Sequence, residues 1–182
     1  MKLLSYSLVI IAFIFISCGA SKTSTTEAEI DALNTLIKNR QFTIESNWVY
    51  PQVTNAMQQV LNSGILQPGS ASGSISLVGN TNFLTISGDS ITSYLPYFGE
   101  RQMQVDYGGQ DSGIQFNGLV EDYKTVKNKD QSYDIKFNAK SNNESFNVYI
   151  KLYTSLKSDM VLNGTSRFSI RYSGVVQPNK KN

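Results

Sequence analysis

Beyond Gln41 the apolar residues of this chain fall mainly at every second position, the spacing of strands with one buried face. Ahead of them lies one segment with the helical period. Within Thr26–Asn39, Ile30, Leu33, Leu36 and Ile37 share a face, and Asp31, Asn34 and Lys38 take the other. Thr26 can cap the N-terminus, and Glu29 stands where a capping box needs it. Lys38 and Arg40 suit the negative end of the helix dipole. The segment predicts an amphipathic helix that packs on a sheet or plugs a barrel end. Its polar face is not basic, unlike that of a membrane-surface helix.

In the first strand Phe42 and Ile44 alternate with Thr43 and Glu45, Trp48 and Tyr50 keep that phase, and Pro51 ends the run. Val53–Gly64 fits a short helix or a loop. Gln67–Gly73, with its Pro, Gly and Ser, predicts a loop. Short strands follow at Ile75 and Leu77, at Leu84 and Ile86, over Ile91–Leu95, over Met103–Tyr107, and at Ile114 and Phe116. Turn signals at Asn80–Asn82, Gly88–Asp89 and Gly108–Gly109 separate them, and Asn117–Gly118 reads as a hairpin turn. The last third is the most regular. Tyr133, Ile135, Phe137 and Ala139 form one alternating set, Phe146, Val148, Ile150 and Leu152 a second, and Phe168, Ile170 and Tyr172 a third. Turns are expected at Asn128–Asp130, Ser141–Asn143 and Asn163–Gly164. The series predicts a mainly β fold. It should be an antiparallel meander of about 8–10 strands, curled into a barrel or split into a sandwich.

The N-terminus carries the sharpest functional signal. Lys2 precedes the apolar run Leu3–Ile16, which is shorter than the roughly 20 residues a spanning helix requires. Ser17 and Cys18 follow at once, so the small-residue cleavage position abuts the chain's one cysteine. Residues 1–17 are expected to be a lipoprotein signal peptide. Cys18 would carry the acyl chains, and 18–26 would form a short polar tether. A single domain would span 27–178, leaving 179–182 as a polar tail. With no acidic run after Cys18, the expected location is the cell envelope, most simply the outer membrane facing the periplasm.

Composition narrows the chemistry. The chain has 16 basic and 14 acidic side chains, a balance that gives no reason to expect nucleic acid as a partner. It has no histidine, which removes the commonest general base and metal ligand, and an acylated Cys18 removes thiolate sites. Asp106, Asp111, Glu121 and Asp122 match neither a calcium loop nor a glycosidase pair, and they read as solvated surface acids. No catalytic residues, cofactor or metal are therefore expected, and the protein is read as a non-enzyme. The densest cluster of aromatics and turn formers is Gly88–Asn117. There Tyr94, Tyr97 and Phe98, around Pro96 and Gly99, are candidates for a binding lip or an end cap. Tyr149 and Tyr153, expected on an outer strand face, are candidates for a sugar- or protein-binding stripe.

These residues also carry a resemblance. Gly88-Asp89, then Leu95-Pro96-Tyr97-Phe98-Gly99, then Tyr107, Gly113-Ile114 and Phe116 resemble the DUF4251 family of Bacteroidetes lipoproteins. Asn163-Gly164 and Tyr172-Ser173-Gly174 fit as well. The resemblance implies a lipocalin-like β-barrel and no assigned activity. Two readings follow. In the first, the barrel holds a small apolar or amphipathic ligand inside, which requires a hollow interior. In the second, the protein is an interaction module that meets an envelope protein or glycan through exposed Tyr and Phe. Cys18→Ser should move the protein from the membrane to the soluble fraction; sedimentation with membranes after that change would remove the lipid anchor from the account.

Overall fold

The computed structural model describes residues 26–65, 73–100, 113–141 and 144–180. Outside them lie the expected signal peptide, Cys18 and its tether, most of the Gln67–Gly73 loop, the strand expected over Met103–Tyr107 and the Gly108–Gly109 turn. Asn142, Asn143 and the last two residues of the expected tail lie outside too.

α1 (Glu27–Asn39) starts on its capping box: Thr26 Oγ1 accepts from the Glu29 N–H at 3.4 Å, and Glu29 Oε2 accepts from the Thr26 N–H at 2.9 Å. Leu33, Leu36 and Ile37 are buried, as the helical spacing requires. The helix stops where Arg40 turns left-handed at φ 48° and its N–H closes on the Ile37 carbonyl at 3.2 Å.

Ten strands follow among the described residues. In chain order they are β1 (Gln41–Pro51), β2 (Ile75–Ser76), β3 (Phe83–Ser87), β4 (Ser90–Tyr94), β5 (Asn117–Leu119), β6 (Glu121–Lys127), β7 (Tyr133–Ser141), β8 (Glu144–Leu152), β9 (Lys157–Gly164) and β10 (Ile170–Pro178). Between β1 and β2 lies α2 (Asn55–Asn62), capped by Thr54, so the ambiguous Val53–Gly64 segment resolves as a helix. The sheet runs β5-β4-β3-β1-β10-β9-β8-β7-β6, all antiparallel, with β2 added on β1. Its two end strands are consecutive in sequence, with Val120 between them. They form one bent strand that pairs with β4 in its first half and with β7 in its second. Beside the bend the Gln115 N–H reaches Ser141 Oγ at 3.3 Å. The result is a nearly closed barrel. α1 is tied to its β6–β7 side, where Asn34 Oδ1 accepts from Tyr133 Oη at 2.7 Å and from Lys127 Nζ at 3.3 Å.

The interior is packed. Phe42, Leu84, Ile86, Phe137, Val148, Leu152, Leu162 and Tyr172 are each 0% exposed, and Ile44, Ile91, Ile135, Phe146 and Met160 each 1%. A hollow barrel would leave its lining open to a water-sized sphere from within, and these side chains are not. The expectation of an apolar ligand inside the barrel therefore meets a filled core among the described residues. Most outward positions of β7 and β8 are polar, Asp134, Lys136, Asn138 and Lys140 on one and Ser145, Asn147 and Lys151 on the other, whereas a membrane-spanning barrel turns an apolar band outward.

Five sequence expectations need correction. Asn163–Gly164 is not a turn: both residues close β9, opposite Asn147 and Phe146. Trp48 and Tyr50 do not continue the phase of Phe42 and Ile44. The register against β10 slips between Ser46 and Trp48, so Asn47 is an extra residue, Val49 faces inward at 0% exposure, and Trp48 and Tyr50 turn out half-buried. Asn117–Gly118 is not a turn. Both residues pair with β4, and the chain bends further on, at Asp122 with φ 54°. β6 and β9 had no counterpart in the alternation. Phe168 lies ahead of β10 rather than in it.

The slip in β1 depends on two residues. Asn82 is buried and its amide pairs with Ser46 as a strand would, accepting from its N–H at 2.8 Å and donating to its carbonyl at 2.9 Å. It fills the gap where β1 passes from β3 to β2. Opposite the slip, any side chain on Gly174 would overlap the Glu45 carbonyl and Ser46 Cα. Asn82→Ala strands two buried backbone groups and should cost about 1–3 kcal/mol for each, read as a lower urea midpoint at unchanged slope.

Candidate functional site

Two parts of the molecule bear on function, a buried cap at Leu95–Gly99 and the outer faces of the sheet.

At the cap, Leu95 forms a bridge to Ile114 through bonds of 2.8 and 3.0 Å. The Pro96 carbonyl accepts from Tyr172 Oη at 2.8 Å. Burial pushes the Tyr172 phenol far above its ordinary range, with Tyr97 adding to the rise and Arg167 opposing it, so Tyr172 stays a neutral donor. Tyr97 is 8% exposed, and its hydroxyl donates between the Glu100 carbonyl at 2.9 Å and the Phe168 carbonyl at 3.1 Å. Gly99 has no room for a side chain because the Tyr97 ring occupies the space. The Arg167 guanidinium lies 5.1 Å from the centre of that ring and bonds Glu144 at 2.8 Å. The other Glu144 oxygen accepts from the Ser166 N–H at 3.0 Å. Of the residues proposed as a lip, Tyr97 is thus drawn inward by hydrogen bonds, while Tyr94 and Phe98 are half-buried. The cluster closes the barrel end. Of the four acids considered for a metal or hydrolytic site, Asp106 and Asp111 lie outside the described residues. Glu121 pairs with Lys140 at 3.3 Å and Asp122 accepts from Asn138 at 2.9 Å, both at the surface. No cluster of metal-ligating side chains occurs among the described residues.

The outer surface has two characters. One side is a cross-strand row Tyr50, Arg171, Val161, Tyr149, Lys136, each opposite the next. Cations sit on its rings, Arg171 at 4.2 Å from Tyr50 and Lys136 at 5.0 Å from Tyr149. Tyr149 is 39% exposed, whereas Tyr153, just past β8, is half-buried and donates to Asp159 at 2.9 Å. Beside this row, Trp48, Tyr153, Asp159 and Ser173 line a groove of about 510 Å³.

The other side is a row Gln177, Thr43, Thr85, Thr92, Asn117, again each opposite the next. β3 and β4 contain no charged residue. Next to this row Phe83 and Tyr94 are direct cross-strand partners, both half-buried and outward, since Leu84 and Ser93 face the core. Thr43, Thr85, Ser87, Gln177, Asn179 and Phe83 line a groove of about 880 Å³. Sequence reasoning singled out Tyr94 alone on this face. The available signal was a run of outward Thr and Ser in strands with no charges.

A family model described as "Domain of unknown function (DUF4251)" matches residues 24–176. The chain belongs to the DUF4251 family. A crystal structure of a DUF4251 family protein from Bacteroides eggerthii DSM 20697 is similar at 18% sequence identity. It aligns with a TM-score of 0.55, covering 83% of this chain and 88% of that one. This likeness establishes the barrel as a fold shared with another DUF4251 protein. No curated protein matches the chain.

In this DUF4251 chain the Glu144–Arg167 pair lies buried beside Tyr97. Arg167→Met leaves Glu144 buried without its cation and should cost about 3–5 kcal/mol. The double variant with Glu144→Met should recover much of that loss in the same urea titration.

Proposed function

We propose that the protein is a non-enzymatic binding module of the bacterial cell envelope that meets its partner on the outside of its barrel. In this reading Cys18 is acylated, residues 18–26 form the tether, and the barrel stands off an outer membrane, facing the periplasm. The carrying observation is the contrast between inside and outside. Among the described residues the core side chains are closed to a water-sized sphere, while open grooves of about 880 and 510 Å³ flank β1 on the outer surface. Both volumes lie in the roughly 300–1,000 Å³ range of binding sites for small groups.

Several features support a binding role over a catalytic one. The chain lacks histidine, and the described acids are either at the surface or, like Glu144, held in a buried ion pair. The hydrogen bonds of the cap are satisfied inside the fold, so its rings act as packing and leave recognition to the faces. Native mass spectrometry of the mature protein from its own host should give the acylated polypeptide with no apolar cargo. A retained apolar species that survives exchange into fresh detergent would overturn the reading and return the ligand to the interior.

A further inference from the structure

We infer that the groove across β10, β1 and β3 is a binding site for an uncharged glycan, with Phe83 as its ring platform. The inference rests on the surface-binding reading above and gives that surface a ligand class.

The groove is organised before any ligand arrives. Thr43 Oγ1 donates to Asn179 Oδ1 at 3.0 Å. A hydroxyl has one hydrogen, so in the 2.8 Å contact between Thr43 and Thr85 the donor must be Thr85. The Asn179 amide is itself fixed, donating to the Ile86 carbonyl and to Gln41 Oε1, each at 2.9 Å. Ser87 Oγ donates to the same Gln41 oxygen at 3.0 Å. The network thus holds these side chains in one arrangement, with the free lone pairs of Thr85 available to a ligand. Gln177 and Thr81 line the same groove, and their side chains make no hydrogen bond among the described residues. They offer a free amide and a free hydroxyl.

Charge and shape choose the ligand. Glu45 and Lys180 are the charged residues among the described lining, one of each sign, so the groove attracts neither anions nor cations as a class. A pyranose presents a C–H face and a rim of hydroxyls that both donate and accept. The Phe83 ring suits the first, and the Thr, Gln and Asn groups with the Glu45 carboxylate suit the second. A peptide fits less well. An extended peptide that binds by adding a strand needs a free strand edge, and β1 is already paired on both sides, with β10 and with β3. What faces a ligand here is side-chain hydroxyl and amide.

The test is calorimetric titration of the mature, folded protein with gluco-, manno- and galacto-configured neutral oligosaccharides, and with uronic-acid oligosaccharides for contrast. A neutral oligosaccharide should bind. Phe83→Ala should weaken it about ten-fold or more, the loss of one ring contact. Thr85→Val, which keeps shape, should weaken it at unchanged melting temperature, and Tyr149→Ala on the far side should not. Failure of every neutral sugar to bind overturns the glycan inference, as does preference for the uronic acids or dependence on Tyr149 instead of Phe83. If no sugar binds but a peptide library does so in a Phe83-dependent way, the glycan inference falls and the surface-binding reading stands. Apolar cargo inside the barrel would sink the surface-binding reading itself.

Discussion

One extra residue in β1 shapes the rest of the barrel. Asn47 has no partner in β10, so the strand kinks there and its two faces exchange roles. The kink is possible because the opposing residue, Gly174, carries no side chain, and because Asn82 satisfies the backbone of Ser46 from the other flank. Before the kink β1 pairs with β3; after it, with β2. The same exchange turns Trp48 and Tyr50 outward and brings Val49 into the core. Both outer grooves flank this place, so the packing inside and the grooves outside share one cause.

Inside and outside obey different chemistry. The described core is filled by large apolar side chains; of its polar exceptions, Glu144 pairs with Arg167, Tyr172 with the Pro96 carbonyl and Asn82 with the Ser46 backbone, while the hydroxyls of Ser46 and Ser158 are buried without a partner among the described residues. The outer surface keeps cations and rings together on β7 to β10 and collects uncharged hydroxyls and amides on β1, β3 and β4. That division leaves one side suited to charge and the other to hydroxyl-rich ligands. The Leu95–Gly99 segment seals an end between these faces, with Tyr97 and Tyr172 as its pins.

The sequence made some of this plain. β7 and β8 alternate without fault from Tyr133 to Leu152, because both strands have one buried and one wet face. The capping box of Thr26 and Glu29 is local chemistry and reads directly. β6 did not show, since nearly every residue of Glu121–Lys127 is exposed and only Tyr123 is half-buried, so burial wrote no alternation into it. β9 was obscured by an inward Ser158, a small polar residue where an apolar one marks most strands. The slip at Asn47 is a tertiary matter: its partners, Asn82 and Gly174, lie far off along the chain. The same holds for the groove. Thr43, Thr85 and Gln177 are ordinary outward residues one by one, and line a common groove only when β1, β3 and β10 lie side by side.

The pairing of β1 with β10 joins the two ends of the domain, Phe42 opposite Pro178. This has a consequence in time. While the chain is being made, one edge of β1 stays open and its apolar face stays uncovered until the last strand arrives. Contacts of such long range form slowly, because much of the chain's freedom must be lost before they repay it. The barrel therefore stays open along β1 until β10 has been made and has found it.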